Sequence, residues 1–182
     1  VGDACQQRFR NYLTDRDVRD LAIYDDEIWV ASESGGFTRW TWYDGPSQYK
    51  RRRYTTSEGA PSNHVRHLAM DQDGNLLAIT ARGLVTHFKA SDTWSIEASM
   101  EAPEACRDGQ PVLPWGAAVD LDIYRPDNTQ YTAFRGVVVR TRGGQNTCWK
   151  RGDELPNLPI NGVDVNPYNG DVWVSTDGGA YR

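Results

Sequence analysis

The sequence predicts an all-β fold built from repeated strand units. Three observations carry this. A unit of short apolar runs returns four times along the 182 residues, its turn glycines at Gly36, Gly83, Gly136 and Gly179 lying 47, 53 and 43 residues apart. The runs are joined through Asp, Asn and Gly clusters, the chemistry of tight hairpin turns. No window holds an unbroken 3.6-residue apolar period; the nearest, Ala98 to Cys106, is interrupted by Pro103.

The first copy reads Val18-Arg19-Asp20-Leu21-Ala22-Ile23, then Ile28-Trp29-Val30, then Gly36-Phe37-Thr38-Arg39-Trp40. The second runs from Val65 to Met70, through Asp71-Gln72-Asp73-Gly74-Asn75, to Leu76-Leu77-Ala78-Ile79 and Gly83-Leu84-Val85. A looser third copy spans Ala118 to Ile123, Gln130 to Ala133 and Gly136 to Val139. The fourth spans Gly162 to Val165, Val172-Trp173-Val174 and Gly179-Ala180-Tyr181. A fourth strand with an aromatic residue closes three of the units, at Tyr54, Trp94 and Trp149. A period of roughly 40–50 residues with several strands per unit is the signature of a β-propeller. About four blades of four-stranded antiparallel sheet are therefore expected, in a single module over residues 1–182. Its parts are an outer strand at 5–14, blades at 18–58, 65–97 and 117–151, an insertion at 98–116, and a partial blade at 162–182. The chain starts on an outer strand, so two arrangements stand open. The N-terminal strand closes a four-bladed ring, or the chain is an arc of a larger propeller. The short third strand of the last unit favours the arc.

Composition narrows the function classes. The formal net charge is −5, and the only basic run is Lys50-Arg51-Arg52-Arg53. At strand spacing these residues alternate between faces, which suits a solvated edge strand rather than a nucleic-acid stripe. No stretch reaches the roughly 18 apolar residues needed to span a bilayer, so no direct membrane insertion is expected. Cys5, Cys106 and Cys148 include no C-x-x-C pair. A Cys106–Cys148 disulfide and three free thiols both fit this spacing. His64 and His67 form H-x-x-H, but on a strand they face opposite sides, and His87 lies in another strand. The Asp71 to Asn75 segment lacks the bidentate Glu of a calcium loop. No metal or cofactor site is expected.

The residues of the first two units resemble the two-component regulator propeller repeat. The likeness rests on Arg53-Tyr54-Thr55-Thr56, Gly59-Ala60-Pro61-Ser62-Asn63-His64-Val65, Asp71 to Thr80 and Arg82-Gly83-Leu84. The later half resembles sialidase-type Asp-box blades, through Tyr124 to Tyr131 and Gly136 to Thr141. It departs from the Asp-box turn where Arg142 interrupts the acidic segment and Cys148 precedes Trp149. The resemblance implies an extracytoplasmic protein: a sensor ectodomain, a secreted or surface protein, or a glycoside hydrolase. It specifies blade architecture rather than activity, because propellers host many unrelated functions.

Two groups of residues are candidates for function. Asp20, Asp120 and Asp164 share first-strand positions and could line a central channel as the acids of a glycosidase. The repeat logic favours the other role, hydrogen bonding to neighbouring strands or loops. The long insertion before the third unit and the other fourth-to-first connections fall on one rim. There Asn63, His64, Arg82, Trp115, Arg135 and Asn161 converge as a candidate binding face. Trp115 could instead fill a gap between blades. The sequence offers no assignable catalytic set. The expectation is a non-catalytic module that binds a protein partner or a glycan, alone or within a larger assembly. A fragment of a propeller hydrolase and a receptor ectodomain are the alternatives.

Overall fold

In the computed structural model, the described residues are 17–42, 48–97, 102–106 and 118–182. The sequence-predicted outer strand at 5–14, Cys5, Trp115 and most of the 98–116 insertion lie outside them. The described residues form a β-propeller of four blades, each an antiparallel meander. Blade 1 holds β1 (Val18–Tyr24), β2 (Glu27–Ser32), β3 (Gly36–Trp42) and β4 (Tyr49–Tyr54). Blade 2 holds β5 (Val65–Met70), β6 (Leu76–Thr80), β7 (Gly83–Phe88) and β8 (Thr93–Glu97). Blade 3 holds β9 (Ala118–Tyr124), β10 (Thr129–Phe134), β11 (Val137–Arg142) and β12 (Gln145–Lys150). Blade 4 shows three strands among the described residues: β13 (Ile160–Val165), β14 (Val172–Thr176) and β15 (Gly179–Tyr181). The inner strands pack in sequence, β1 on β5, β5 on β9 and β9 on β13.

Every inner strand slips register by one residue at the same place: Arg19, Arg66, Val119 and Asn161 each bulge from the ladder. A bulge of this kind adds local twist. It also fixes which residues are equivalent. Leu21, Leu68, Leu121 and Val163 form one set, and Ile23, Met70, Ile123 and Val165 another. Asp20, His67, Asp120 and Gly162 form a third, and Ala22, Ala69, Asp122 and Asp164 a fourth.

The apolar side chains of a blade have nothing to bury against within their own sheet, so they pack between blades. Three cores result. The first joins Trp29, Phe37 and Tyr54 of blade 1 to Leu68, Met70, Leu76 and Val85 of blade 2. The second joins Leu77 and Ile79 to Leu121, Ile123 and Val139. The third joins Tyr131 and Val138 to Val163, Val165 and Val174. In the first core the Trp29 ring stacks on Tyr54 with centroids 5.2 Å apart, and Arg39 lies 5.5 Å over Trp29. Asp92, in the β7–β8 turn, reaches back across this joint. It accepts from the Tyr54 hydroxyl at 3.0 Å, bonds the buried His87 ring at 3.0 Å, and pairs with Arg52. Burial pushes the His87 pKa down against the pull of Asp92. The 141–149 segment, read as an altered Asp-box, is a two-residue Gly143-Gly144 hairpin with both glycines at positive φ.

The two rims differ. Among the described residues, one carries short hairpin turns, several of them closed by Asp and Asn side chains. Asp71 accepts from the Asp73 and Asn75 amides, Asp127 from the Thr129 amide, and Asn166 from the Tyr168 amide. Here Tyr24 of blade 1 packs over Gly74 of blade 2, and Tyr124 of blade 3 over Gly170 of blade 4. Arg125 lies at the same rim and donates to the carbonyls of Met70 and Ile23, so one side chain spans three blades. The other rim carries the β2–β3-type turns and the long blade-to-blade connections.

On that second rim Cys106 and Cys148 are joined, with Cα atoms 5.5 Å apart. The bond ties the one-turn 3-10 helix Glu104–Cys106 to the outer strand of blade 3, inside the second core. Closing a loop of 42 residues this way corresponds to about 4 kcal/mol in the chain-entropy account. Reduction, or Cys106→Ser with Cys148→Ser, is expected to lower Tm by about 10 °C, read by calorimetry with and without reductant. Gly36 supplies a second test. It sits at φ +75°, and a Cβ there would lie 2.3 Å from the Tyr54 carbonyl oxygen. Gly36→Ala is expected to cost about 3 kcal/mol in urea unfolding, whereas Gly59→Ala, with open space around it, is expected to cost about 1 kcal/mol.

Candidate functional site

The inner strands are where the sequence placed its acids. The bulge sets each carboxylate against the neighbouring blade. Asp20 accepts from the amide of Leu21 in its own strand and from that of Leu68 in blade 2, both at 2.8 Å. Asp120 repeats this with Leu121 at 2.9 Å and Val163 of blade 4 at 3.0 Å. Asp122 does the same one step along, with Ile123 and Val165, both at 2.7 Å. Blade 2 has His67 at the position of Asp20. Its Nδ1 lies 3.1 Å from Asp120 and 3.9 Å from Asp20. Of the two roles open to these acids, Asp20 and Asp120 hold the hydrogen-bonding one. Asp164 differs: it is exposed and stands beside the Asp122 carboxyl.

The rim residues separate into two kinds. Asn63 is built into the loop: its side chain accepts from the Thr56 amide at 2.8 Å and its carbonyl from the Gly36 amide at 2.9 Å. His64 is exposed and meets the Glu33 carbonyl through Nδ1. Arg82 and Arg135 are exposed at equivalent turns, β6–β7 and β10–β11. Asn161 is exposed at the bulge of β13 and donates to Asp177 at 2.8 Å. All five open on the loop-bearing rim; Trp115 lies outside the described residues. Sequence reasoning missed Arg66, exposed at the bulge of β5, and also His67 and Asp122. The signal for Asp122 was present, since it occupies the same place in its unit as Asp164.

Electrostatics make this cluster of inner-strand side chains pH-sensitive. Burial, with the neighbouring Asp164, pushes the Asp122 pKa up to about 6. The hydrogen bond to Asp120 raises His67 above its ordinary value, outweighing the opposite effect of burial. Both groups are raised in the fold, so both stabilise more at low pH. The Asp122 contribution is full below its unfolded value of about 3.8 and is lost as pH rises through about 6. The His67 contribution is full below about 6.5 and is lost above it. Asp122→Asn keeps an acceptor for the Val165 amide and removes the like-charge neighbour. It is expected to raise Tm at pH 8 by about 2–5 °C and to flatten the pH 4–7 part of the stability profile.

No known family profile matches the sequence, and no curated protein matches it. Solved structures do. The extracellular domain of the one-component system BT4673 from B. thetaiotaomicron matches with TM-score 0.63 at 19% identity, over 91% of this chain and 20% of that one. The extracellular domain of the hybrid two-component system BT3049 from the same organism matches with TM-score 0.61 at 15% identity, over 96% and 23%. An auxiliary nutrient-binding protein from Bacteroides thetaiotaomicron matches with TM-score 0.61 at 8% identity, over 89% and 36%. The chain spans about a fifth of the length of these two signalling ectodomains. What it shares with all three is the β-propeller fold, the architecture that the regulator-like repeats of the first two units implied.

Proposed function

We propose that this chain is a non-catalytic propeller module of an extracytoplasmic protein, binding a protein partner or a glycan through its loop-bearing rim. The observation that carries the reading is the inequality of the two rims. Among the described residues, one is closed by short turns whose polar side chains, such as Asp71, Asp127 and Asn166, bond nearby backbone amides. The other gathers the long connections and exposes His64, Arg66, Arg82, Arg135 and Asn161. Arginine on a rigid scaffold is a residue type favoured at interface centres. The Cys106–Cys148 bond supports an oxidising compartment.

A sensory ectodomain is the second reading, supported by the likeness to extracellular domains of one- and two-component systems. The hydrolase reading has less support, because Asp20 and Asp120 already accept strand amides.

Binding of the disulfide-intact chain to an array of neutral and acidic oligosaccharides, and to a displayed peptide library, tests the proposal. The Arg82→Ala, Arg135→Ala double variant is expected to bind the selected ligand at least about thirtyfold more weakly, with unchanged Tm. Unchanged affinity in that variant would move the site off this rim. Turnover of a glycoside substrate that vanishes in Asp164→Asn would overturn the non-catalytic reading.

A further inference from the structure

At the joint between blades 1 and 2, several donors converge on one carboxylate. Asp92 lies in the β7–β8 turn of blade 2. Its Oδ1 is 3.0 Å from the Tyr54 hydroxyl, 3.0 Å from Nε2 of His87 and 4.0 Å from the Arg39 guanidinium. Its Oδ2 pairs with Arg52. Tyr54 and His87 are each 1% exposed, so these polar groups are fixed in the interior. Arg39 lies over the rings of Trp29 and Tyr54, and Arg52 lies 4.5 Å over Tyr54. The donors are therefore held by the aromatic core as well as by Asp92. Guanidiniums present the planar fork that matches a carboxylate.

A joint between blades does not need this set. Ladder pairing puts Thr86 and Ser95 of blade 2 where blade 1 has Arg39 and Arg52, and Glu97 where it has Tyr54. The turn of blade 3 that corresponds to the Asp92 turn is Gly143-Gly144, which carries no carboxylate. Blades 2 and 3 nonetheless share a buried apolar core. Asp92 also holds φ at +54°, in the left-handed region ordinarily given to Gly or Asn, and its side chain is 35% exposed. Burial alone would raise its pKa, but hydrogen bonds from Arg52, Tyr54 and His87 hold it below the ordinary value, so the occupant is the anion. Two guanidiniums meet this one carboxylate. We infer that the joint contains a carboxylate-binding site that the chain fills with its own Asp92, and that an external monocarboxylate enters it as the exposed turn swings out. The site lies on the side of the hairpin turns, away from the loop-bearing rim, and is separate from the binding face proposed there.

Tryptophan fluorescence reads the site, because Trp29 and Trp94 lie against the His87 ring with centroids 4.9 and 4.7 Å away. The chain is titrated with sodium acetate, sodium glucuronate and glucose, with ionic strength held constant by sodium chloride. Wild-type chain is expected to give a saturable response to the two acids and none to glucose. Asp92→Gly suits the positive φ and removes the internal competitor. It is expected to bind the same acids at least about tenfold more tightly. Adding Arg52→Gln is expected to cancel that gain; Arg52 is 48% exposed, so its loss leaves the core in place. Should Asp92→Gly fail to fold, Asp92→Asn serves instead, since it tolerates the positive φ and presents no anion, with the same direction expected. Glucuronate binding more tightly than acetate identifies an acidic sugar as the ligand, and equal affinities identify a simple carboxylic acid; both support the site. No response of wild-type chain to either acid, an equal response to glucose, or unchanged affinity in the Asp92 variant overturns the inference.

Discussion

A four-stranded blade has two sides and no interior. Its apolar side chains leave water only where another blade lies against them, so the joint between blades is the interaction on which the rest of this structure depends. Trp29, Phe37 and Tyr54 are buried because blade 2 brings Leu68, Met70 and Leu76 against them. The same arrangement recurs twice with other side chains. Burying residues of this size stabilises by about 1.5–3 kcal/mol each. The polar contacts add direction: the bulge aims Asp20, Asp120 and Asp122 at the amides of the next inner strand. Apolar burial holds the blades together, and the carboxylates set their register.

Much of this architecture was legible in the sequence. The glycines at 36, 83, 136 and 179 marked the repeat, and the Asp/Asn/Gly clusters marked the hairpins. Both are local constraints, written in adjacent residues. The bulges at Arg19, Arg66, Val119 and Asn161 were not legible, because a register slip is decided by the partner strand and leaves no composition of its own. The roles of the channel residues were hidden for the same reason. Asp20 and Asp120 are open to two readings until the amides of Leu68 and Val163 are seen within reach. His67 looked like half of an H-x-x-H pair. Its true neighbours, Asp20 and Asp120, lie 47 and 53 residues away in sequence and come near only when three inner strands align.

The rim was legible as a location and less so as a set of contacts. Asn63 lies in a loop of that rim, and its polar groups are engaged by Thr56 and Gly36. Arg82 and Arg135 sit at the tips of turns fixed by the repeat, so their exposure followed from the pattern. Arg66 was passed over because it sits within an apparent strand, where alternation hides a bulged residue. The general lesson is that a repeat predicts positions well, while hydrogen bonding decides which of those positions remain available to a ligand.

Arg125 gives the chain a property that stacked repeats ordinarily lack. In an array where each unit touches only its neighbours, units can peel from the ends one after another. The guanidinium of Arg125 holds the carbonyl of Ile23 in blade 1 as well as that of Met70 in blade 2. Loosening blade 1 therefore strips an anchor from blade 3, two units away. The first three blades are thereby coupled beyond the contacts of nearest neighbours.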